Sequence, residues 1–257
     1  MPTTVVECFP GRYDYAVRVT SSGWLTGTVV KNRRWTERLF SLRVAGVPLR
    51  FEAGQFVRIG LDREIARPFS FVNSPADPVL EFYGAVVPEG ALSPRLAHLA
   101  PGAALRVAAN PAGFFVLSEV PDADTLWLLA TGTGIAPFLS ILRTDVPWRR
   151  FRHVVVVHAV RHARELAYRD VIAGTAARYV MIVSREADPG SLPGRIPDRL
   201  RDGELERAAG LRLDERSHVM LCGNPAMIAD TTATLVARGL RKHRPRAPGH
   251  ITVERFW

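Results

Sequence analysis

TLWLLATGTGIAPFLSIL, residues 125–142, joins an unbroken apolar run to a glycine turn and then to a segment that can be helical. Strands buried on both faces of a parallel sheet read as such runs. Pro137 falls where a first helical turn would begin, a position that suits proline. Three further apolar runs follow: HVVVVHA, RYVMIVS and HVMLCG. Between them lie ARELAYRDVIAGTAAR and IPDRLRDGELERAAG, and AMIADTTATLVARGL follows the last; all can be helical. The alternation predicts a βαβ series and hence a doubly wound parallel sheet.

Upstream of Pro121 the rhythm differs. From about Trp24, short apolar stretches (LTGTVVKNRR, LFSLRVAG, AGQFVRIGLD, LEFYGAVVP, ALRVAAN) alternate with turns rich in Gly, Pro, Asn and Asp. That spacing predicts an antiparallel barrel or sandwich. ARPFSFVNSP, residues 66–75, belongs to this half. Its alternation is that of a strand, and Pro68 makes it an edge or a strand start, because proline cannot donate to a ladder. The expected architecture is therefore two domains with a boundary near 118–124. Residues 1–24 form an extension, 25–120 an antiparallel domain, and 121–257 an α/β domain.

The 257-residue length suffices for two cores, and 47% hydrophobic with 23% charged residues fits a globular chain. No run approaches a membrane span, and the start has no basic-then-apolar secretion signal, so a cytoplasmic protein is expected. Two cysteines, Cys8 and Cys222, are too few for an iron–sulfur cluster or a structural zinc, and no disulfide or metal is expected. The net charge of +9, carried mostly by arginine, fits a binder of nucleic acid, of phosphate-bearing cofactors or of an acidic partner. The run RKHRPR, Arg241–Arg246, reads more readily as a solvated loop than as an RNA patch.

Thr131-Gly132-Thr133-Gly134 sits at a strand-to-helix turn, where a phosphate can approach the backbone and the helix N-terminus. The dinucleotide fingerprint wants a third glycine where Pro137 stands, so the loop alone reads either as a phosphate cradle or as a tight turn. After the second strand comes Arg161 rather than an acid; after the third come Ser184 and Arg185, then Arg195. Guanidinium groups there suit a 2′-phosphate and favour NADP over NAD; the alternative is exposed arginines with Glu186 as one outlet. Cys222-Gly223-Asn224-Pro225 ends the fourth run at the same sheet edge. A buried cysteine is more often packing, and Cys222 has no basic sequence neighbour to make it a thiolate.

Arg67-Pro68-Phe69-Ser70, Gly132-Thr133-Gly134 and Cys222-Gly223-Asn224-Pro225, in that order, resemble the ferredoxin–NADP reductase family, specifically its bacterial flavodoxin/ferredoxin reductases. The likeness runs from about Leu25 to Trp257 and takes in LSPRL, GFFVL and the terminal aromatic pair. It implies an FAD-binding barrel, an NADP-binding α/β domain and hydride transfer to flavin N5, with single electrons passed to ferredoxin or flavodoxin. Arg67 would neutralise the FAD pyrophosphate, Phe69 would lie on the flavin ring beside Pro68, and Ser70 would stand near N5. Glu81, Phe82, Tyr83 and Thr133 match flavin-lining positions. Ala91, Leu92 and Ser93 match the second phosphate site, with Ser93 as helix N-cap and Pro94 as N1. Val253, Glu254, Arg255, Phe256 and Trp257 match the C-terminal flavin-covering tail. Ser70, Glu254, Phe256 and Cys222 are the positions nearest the reaction. NADP would be held by Thr131, Gly132, Gly134, Arg161, Ser184, Arg185, Arg195, Gly223, Asn224 and Pro225. Phe69 and Phe256 stand where relatives have tyrosine, so stacking survives and a hydroxyl contact is lost. The expected partner is an acidic redox carrier met by a monomer, without nucleic acid or membrane insertion. The alternative is an NADPH-dependent free-flavin or oxygenase-component reductase of the same fold.

Overall fold

The computed structural model describes residues 23–62 and 65–255. Cys8 and the rest of residues 1–22, Phe256 and Trp257 lie outside these residues, and Trp24, expected to end the N-terminal extension, already begins the first strand.

The first lobe is a six-stranded antiparallel sheet of β1 (Trp24–Arg34), β2 (Leu39–Ala45), β3 (Phe56–Gly60), β4 (Ala66–Ser70), β5 (Leu80–Ala85) and β6 (Ala104–Ala108). Their order is β4-β3-β6-β1-β2-β5. The two outer strands nearly meet: Phe71 bridges Phe82, and the Val72 amide donates to the Glu81 carbonyl at 2.9 Å. The sheet therefore curls into a near-closed barrel. Phe40, Leu42, Val44, Ile59, Phe71, Phe82 and Leu105 fill it, each contributing about 1.5–3 kcal/mol through burial. The sequence expectation for Pro68 holds. It pairs with Arg58 on β4, an outer strand, so its missing N–H removes no ladder bond.

A short helix, α1 (Ser93–Leu96), precedes β6. Ser93 is not its N-cap: the Ser93 hydroxyl accepts from the Val87 amide at 2.9 Å, and Leu92 holds the cap position without a side-chain bond.

The second lobe is a six-stranded parallel sheet. Its strands are β7 (Thr125–Thr131), β8 (His153–Val160), β9 (Arg178–Val183), β10 (Leu192–Pro193), β11 (Ser217–Gly223) and β12 (Ile251–Arg255), in the order β10-β9-β8-β7-β11-β12. The helices are α2 (Ala136–Leu142), α3 (Val146–Arg150), α4 (Arg169–Ala173), α5 (Ile196–Arg201), α6 (Glu204–Ala209) and α7 (Pro225–Ala237). The four apolar runs are the four central strands. ARELAYRDVIAGTAAR is not one helix: Tyr168 adopts φ 59° and leaves only α4 behind it. IPDRLRDGELERAAG splits into α5 and α6 at Gly203, φ 77°. The RKHRPR run is an exposed turn leading into the N-terminal end of β12, opposite the strand ends that carry the glycine loops. Among the described residues no helix is long and apolar enough to cross a membrane.

The two lobes share one core. Leu39, Ala53, Val72 and Tyr83 of the barrel pack with Leu126, Leu128, Phe138 and Tyr168 of the α/β lobe. Polar bonds fix the same seam. Ser140 of α2 donates to the Asn73 carbonyl at 2.7 Å. Arg143 donates to the Val72 carbonyl and to Glu81, both at 2.9 Å, and the Tyr168 hydroxyl donates to Glu81 at 2.8 Å. The Glu81 and Arg143 side chains are 13% and 26% exposed. Removing one partner would leave a buried charge, about 3–5 kcal/mol of destabilisation.

Candidate active site

A cleft of about 550 Å³ opens between the barrel and the carboxyl ends of the parallel strands. Strand order reverses beside β7, with β8 on one side and β11 on the other, and open α/β sheets bind ligands at that point. Thr131, Gly132, Thr133, Arg161, Ser184, Arg185, Arg195 and Asn224 all line the cleft. Residues scattered over almost a hundred positions are thus brought to one wall.

The first turn is built from beneath. Gly132 has φ 53°, and a Cβ there would meet nothing within 4 Å, so its need for glycine is conformational. His158, fully buried on β8, places Nε2 3.0 Å from the Gly132 carbonyl. A carbonyl only accepts, so Nε2 carries the proton. The Tyr179 hydroxyl stands 3.5 Å from Nδ1. Burial lowers the His158 pKa to about 4, which keeps the ring neutral at physiological pH.

Gly134 and Gly223 serve a different purpose from the one the sequence suggests. A Cβ on Gly134 would stand 2.6 Å from the Cys222 carbonyl oxygen, and one on Gly223 2.2 Å from Thr131 Oγ1. Both glycines let the ends of β7 and β11 touch each other, and neither lines the cleft. Thr131 Oγ1 accepts the Asn224 amide at 2.8 Å, and Asn224 Oδ1 caps α7 through the Ala226 and Met227 amides. Pro225 begins that helix. The N-terminus of a 13-residue helix therefore opens into the cleft, where it favours anions.

Arg161, Arg185 and Arg195 are exposed, and Ser184 donates to the Val160 carbonyl. The Glu186 outlet for Arg185 is not used. Glu186 accepts from the Ala163 amide at 2.7 Å and meets His162 at 3.1 Å, and these bonds hold its carboxyl below the ordinary range. Glu165 is spent on the Arg161 and His162 amides.

On the barrel, β4 presents Arg67 and Pro68 exposed, Phe69 half-buried and Ser70 buried. Phe69 lies over β5, where a Cβ on Gly84 would come within 2.6 Å of its ring. The Ser70 hydroxyl is 2% exposed as a residue and has no hydrogen-bond partner. The Tyr83, Thr231 and Thr232 hydroxyls are also buried without a partner, but Ser70 is the one on the strand that presents Arg67 and Pro68 to the surface, where a ligand could satisfy it. The neighbouring positions make contacts within the protein. Phe82 packs inside the barrel; Glu81 is held by Arg143 and Tyr168; and Tyr83 packs edge-to-face on Tyr168. These side chains make protein contacts, while the Tyr83 hydroxyl is buried without a hydrogen-bond partner. Leu92 is likewise a core residue, while Ala91 is exposed.

The C-terminal strand completes the seam. Glu254 pairs in register with Cys222, and Val253 and Arg255 are exposed. Ser70 pairs with Phe56, whose ring lies against Gly113, and Gly113 in turn faces Glu254 Oε1. Thr133 is buried in the 3-10 turn Gly132–Ile135. Cys222 is a fully buried free thiol, raised well above its ordinary pKa by burial and then by Glu254. It stays protonated, and it packs in the core that the two lobes share.

Glu254 is pushed up to about 7 by burial, and its Oε2 has no partner. Folded chains therefore keep the proton that unfolded chains release above the usual carboxylate range. Stability falls as pH rises between about 4.5 and 7, by roughly 3 kcal/mol in all. Glu254→Gln lacks that fall. Denaturant midpoints at pH 5 and pH 8 should show the variant gaining on the parent at the higher pH; parallel curves would mean a hydrated carboxylate.

Sequence reading missed Arg38, Leu39, Ala85 and Val86, which form the barrel wall of the cleft, and Asp230 on α7. Arg38 sits in an ordinary polar turn, and only three-dimensional pairing brings it here.

Comparison with known proteins agrees with this geometry. Residues 128–233 match the family described as "Oxidoreductase NAD-binding domain". The chain is 49% identical over 245 residues to the flavodoxin/ferredoxin–NADP reductase of Escherichia coli K12, covering 91% of this chain and 99% of the relative. It is 36% identical to the ferredoxin–NADP reductase of Pseudomonas aeruginosa PAO1, covering 91% and 98%. Among solved structures it is similar to a ferredoxin NADP+ reductase from Neisseria gonorrhoeae with bound FAD and NADP. The TM-score is 0.88 and the identity 33%, with 91% of this chain and 99% of that chain covered.

Proposed function

The chain belongs to the flavodoxin/ferredoxin–NADP reductase family, and from that membership we propose that it moves electrons between NADP(H) and a one-electron carrier, ferredoxin or flavodoxin, by way of FAD. FAD, when bound, supplies the exchange between two-electron and one-electron chemistry. The single observation that carries the reading is the joining of a cation-rich dinucleotide cleft to a barrel edge with an orphaned hydroxyl.

The residues fit the cofactor. Arg67 offers an exposed cation on the strand edge for its pyrophosphate, with one guanidinium nitrogen on the Ala66 carbonyl and no carboxylate partner among the described residues, and Phe69 offers a ring face. Ser70 offers a donor with no other use. Thr133 meets the same seam from the α/β lobe, and Arg255 with the exposed Val253 extends it on β12. Ser70 would hold the flavin ring through its unpartnered hydroxyl, which could supply a proton there. Glu254, neutral below about pH 7, keeps a full negative charge away from the dinucleotide's reacting ring. The family resemblance assigns the shielding of the opposite ring face to Phe256 and Trp257, which lie outside the described residues.

NADPH binds with its 2′-phosphate among Ser184, Arg185 and Arg195, with Arg161 beside them. Its pyrophosphate meets the Gly132 amide and the N-terminus of α7 at Asn224 and Pro225. Thr131, Gly134 and Gly223 act one step back, setting the approach of the two loops. The flavin portion spans 25–120 and the nucleotide portion 121–257. The protein works as a cytoplasmic monomer, takes an acidic carrier and binds no nucleic acid. Arginine-rich surfaces steer such a carrier, so the on-rate falls as salt rises.

Turnover with NADPH, measured with ferredoxin, flavodoxin and free FMN as acceptors, tests this. The reading expects a protein carrier to be preferred over free FMN, with a rate that falls as ionic strength rises. Preference for free FMN with no salt dependence would reassign the protein as a free-flavin reductase.

A further inference from the structure

We infer that Arg38 is a further binding residue of the cleft, gripping the dinucleotide's pyrophosphate from the barrel side. This rests on the reading of the cleft as the NADPH site. The α/β wall supplies Arg161, Arg185 and Arg195; the barrel wall is Arg38, Leu39, Ala85 and Val86. Among the described residues that line the cleft, Arg38 is the one charged side chain on that wall, so it answers an anion from the barrel lobe.

Its backbone is fixed while its side chain is not. The Arg38 amide donates to Thr36 Oγ1, and its carbonyl accepts the Val86 amide at 2.7 Å. Leu39 then pairs with Ala85 in the β2–β5 ladder. Among the described residues the Arg38 guanidinium has neither an acidic partner nor a carbonyl to bond. Arg33, Arg34, Arg43 and Arg67, also on the barrel, all have ring, carbonyl or carboxylate contacts. Arg38 therefore has its full donor set available to a ligand.

Position decides which anion it meets. The end of β5 packs on the 3-10 turn Gly132–Ile135, next to the N-terminus of α7. Ser184 and Arg185 follow β9, two strands from β7, about 10 Å away at ordinary strand spacing. The barrel wall thus faces the pyrophosphate end of the cleft and not the 2′-phosphate end. A guanidinium can take two oxygens of a phosphate at once. With α7 on one side and Arg38 on the other, the pyrophosphate would be held by both lobes, which sets the distance between dinucleotide and barrel edge.

Pyrophosphate is common to NADPH and NADH, and this separates Arg38 from Arg185. In the FAD-loaded enzyme, Arg38→Ala should raise the KM for NADPH and for NADH by similar factors, about tenfold each, with kcat held near the parent value. Arg38→Lys should recover part of the loss for both. Arg38 is exposed, so thermal midpoints should not move. A KM change confined to NADPH would place Arg38 at the 2′-phosphate, and unchanged KM values would leave it an idle surface cation; either overturns the proposal. A fall in kcat at constant KM would also overturn it. The parent enzyme is the control: if NADPH fails to bleach its flavin, the function itself fails, separately from Arg38.

Discussion

Gly223→Ala is expected to destabilise the protein by roughly 3 kcal/mol or more, through overpacking and backbone strain together. Gly223 sits at φ 126°, which side chains rarely adopt, and its Cβ would stand 2.2 Å from Thr131 Oγ1 and 2.8 Å from the Thr131 carbonyl oxygen. Neither neighbour can swing clear. Thr131 Oγ1 already accepts the Asn224 amide, and the Thr131 backbone is part of β7. Relief requires the ends of β7 and β11 to part, which also shifts the capped start of α7. The thermal midpoint should drop by several degrees, at about 2–4 °C per kcal/mol for a chain of this size. Nucleotide affinity should fall with it. Gly132→Ala is the comparison: its Cβ would meet open space, and only the left-handed backbone penalty of about 1–2 kcal/mol remains. Equal stability for the two variants would show that the loops are not in contact.

Arg185→Ala should raise the KM for NADPH about tenfold or more while leaving NADH kinetics nearly unchanged, since charge-assisted hydrogen bonds contribute about 1.5–3 kcal/mol. Arg185 lines the cleft and is exposed, and its sequence neighbour Glu186 is bound to Ala163 and His162 instead. Its guanidinium is therefore unspent before substrate arrives. Because the 2′-phosphate is the only group that distinguishes the two dinucleotides, the selectivity ratio reports on this contact directly. Unchanged NADPH kinetics would move the 2′-phosphate site elsewhere, with Arg161 and Arg195 next in line.

The parts of this molecule that are legible in sequence are the local ones. The run 126–130 announces a strand because burial on both faces leaves no polar residue between Thr125 and Thr131. Pro137 and Pro225 announce helix starts because proline removes no bond there. Pro68 announces an outer strand for the same reason. The parts that are not legible depend on distant partners. Glu81 looks like any strand carboxylate until Arg143 and Tyr168 close on it from the other lobe. Tyr168 holds a left-handed backbone that no propensity foretells, with its ring between Trp35 and Tyr83. Gly134 and Gly223 were recognisable as special, yet their reason is each loop's contact with the other, a fact of the β7–β11 pairing. Arg38 carries no local mark at all.

The central claim is that a dinucleotide in the cleft delivers electrons to a flavin lying on the β4 edge. Anaerobic titration of the FAD-loaded protein with NADPH, followed in the visible flavin band, tests it most directly. The account predicts a yellow protein whose colour is lost with about one equivalent of NADPH and returns when an oxidised flavodoxin or ferredoxin is added. Protein that takes up FAD but keeps its colour in excess NADPH would contradict it.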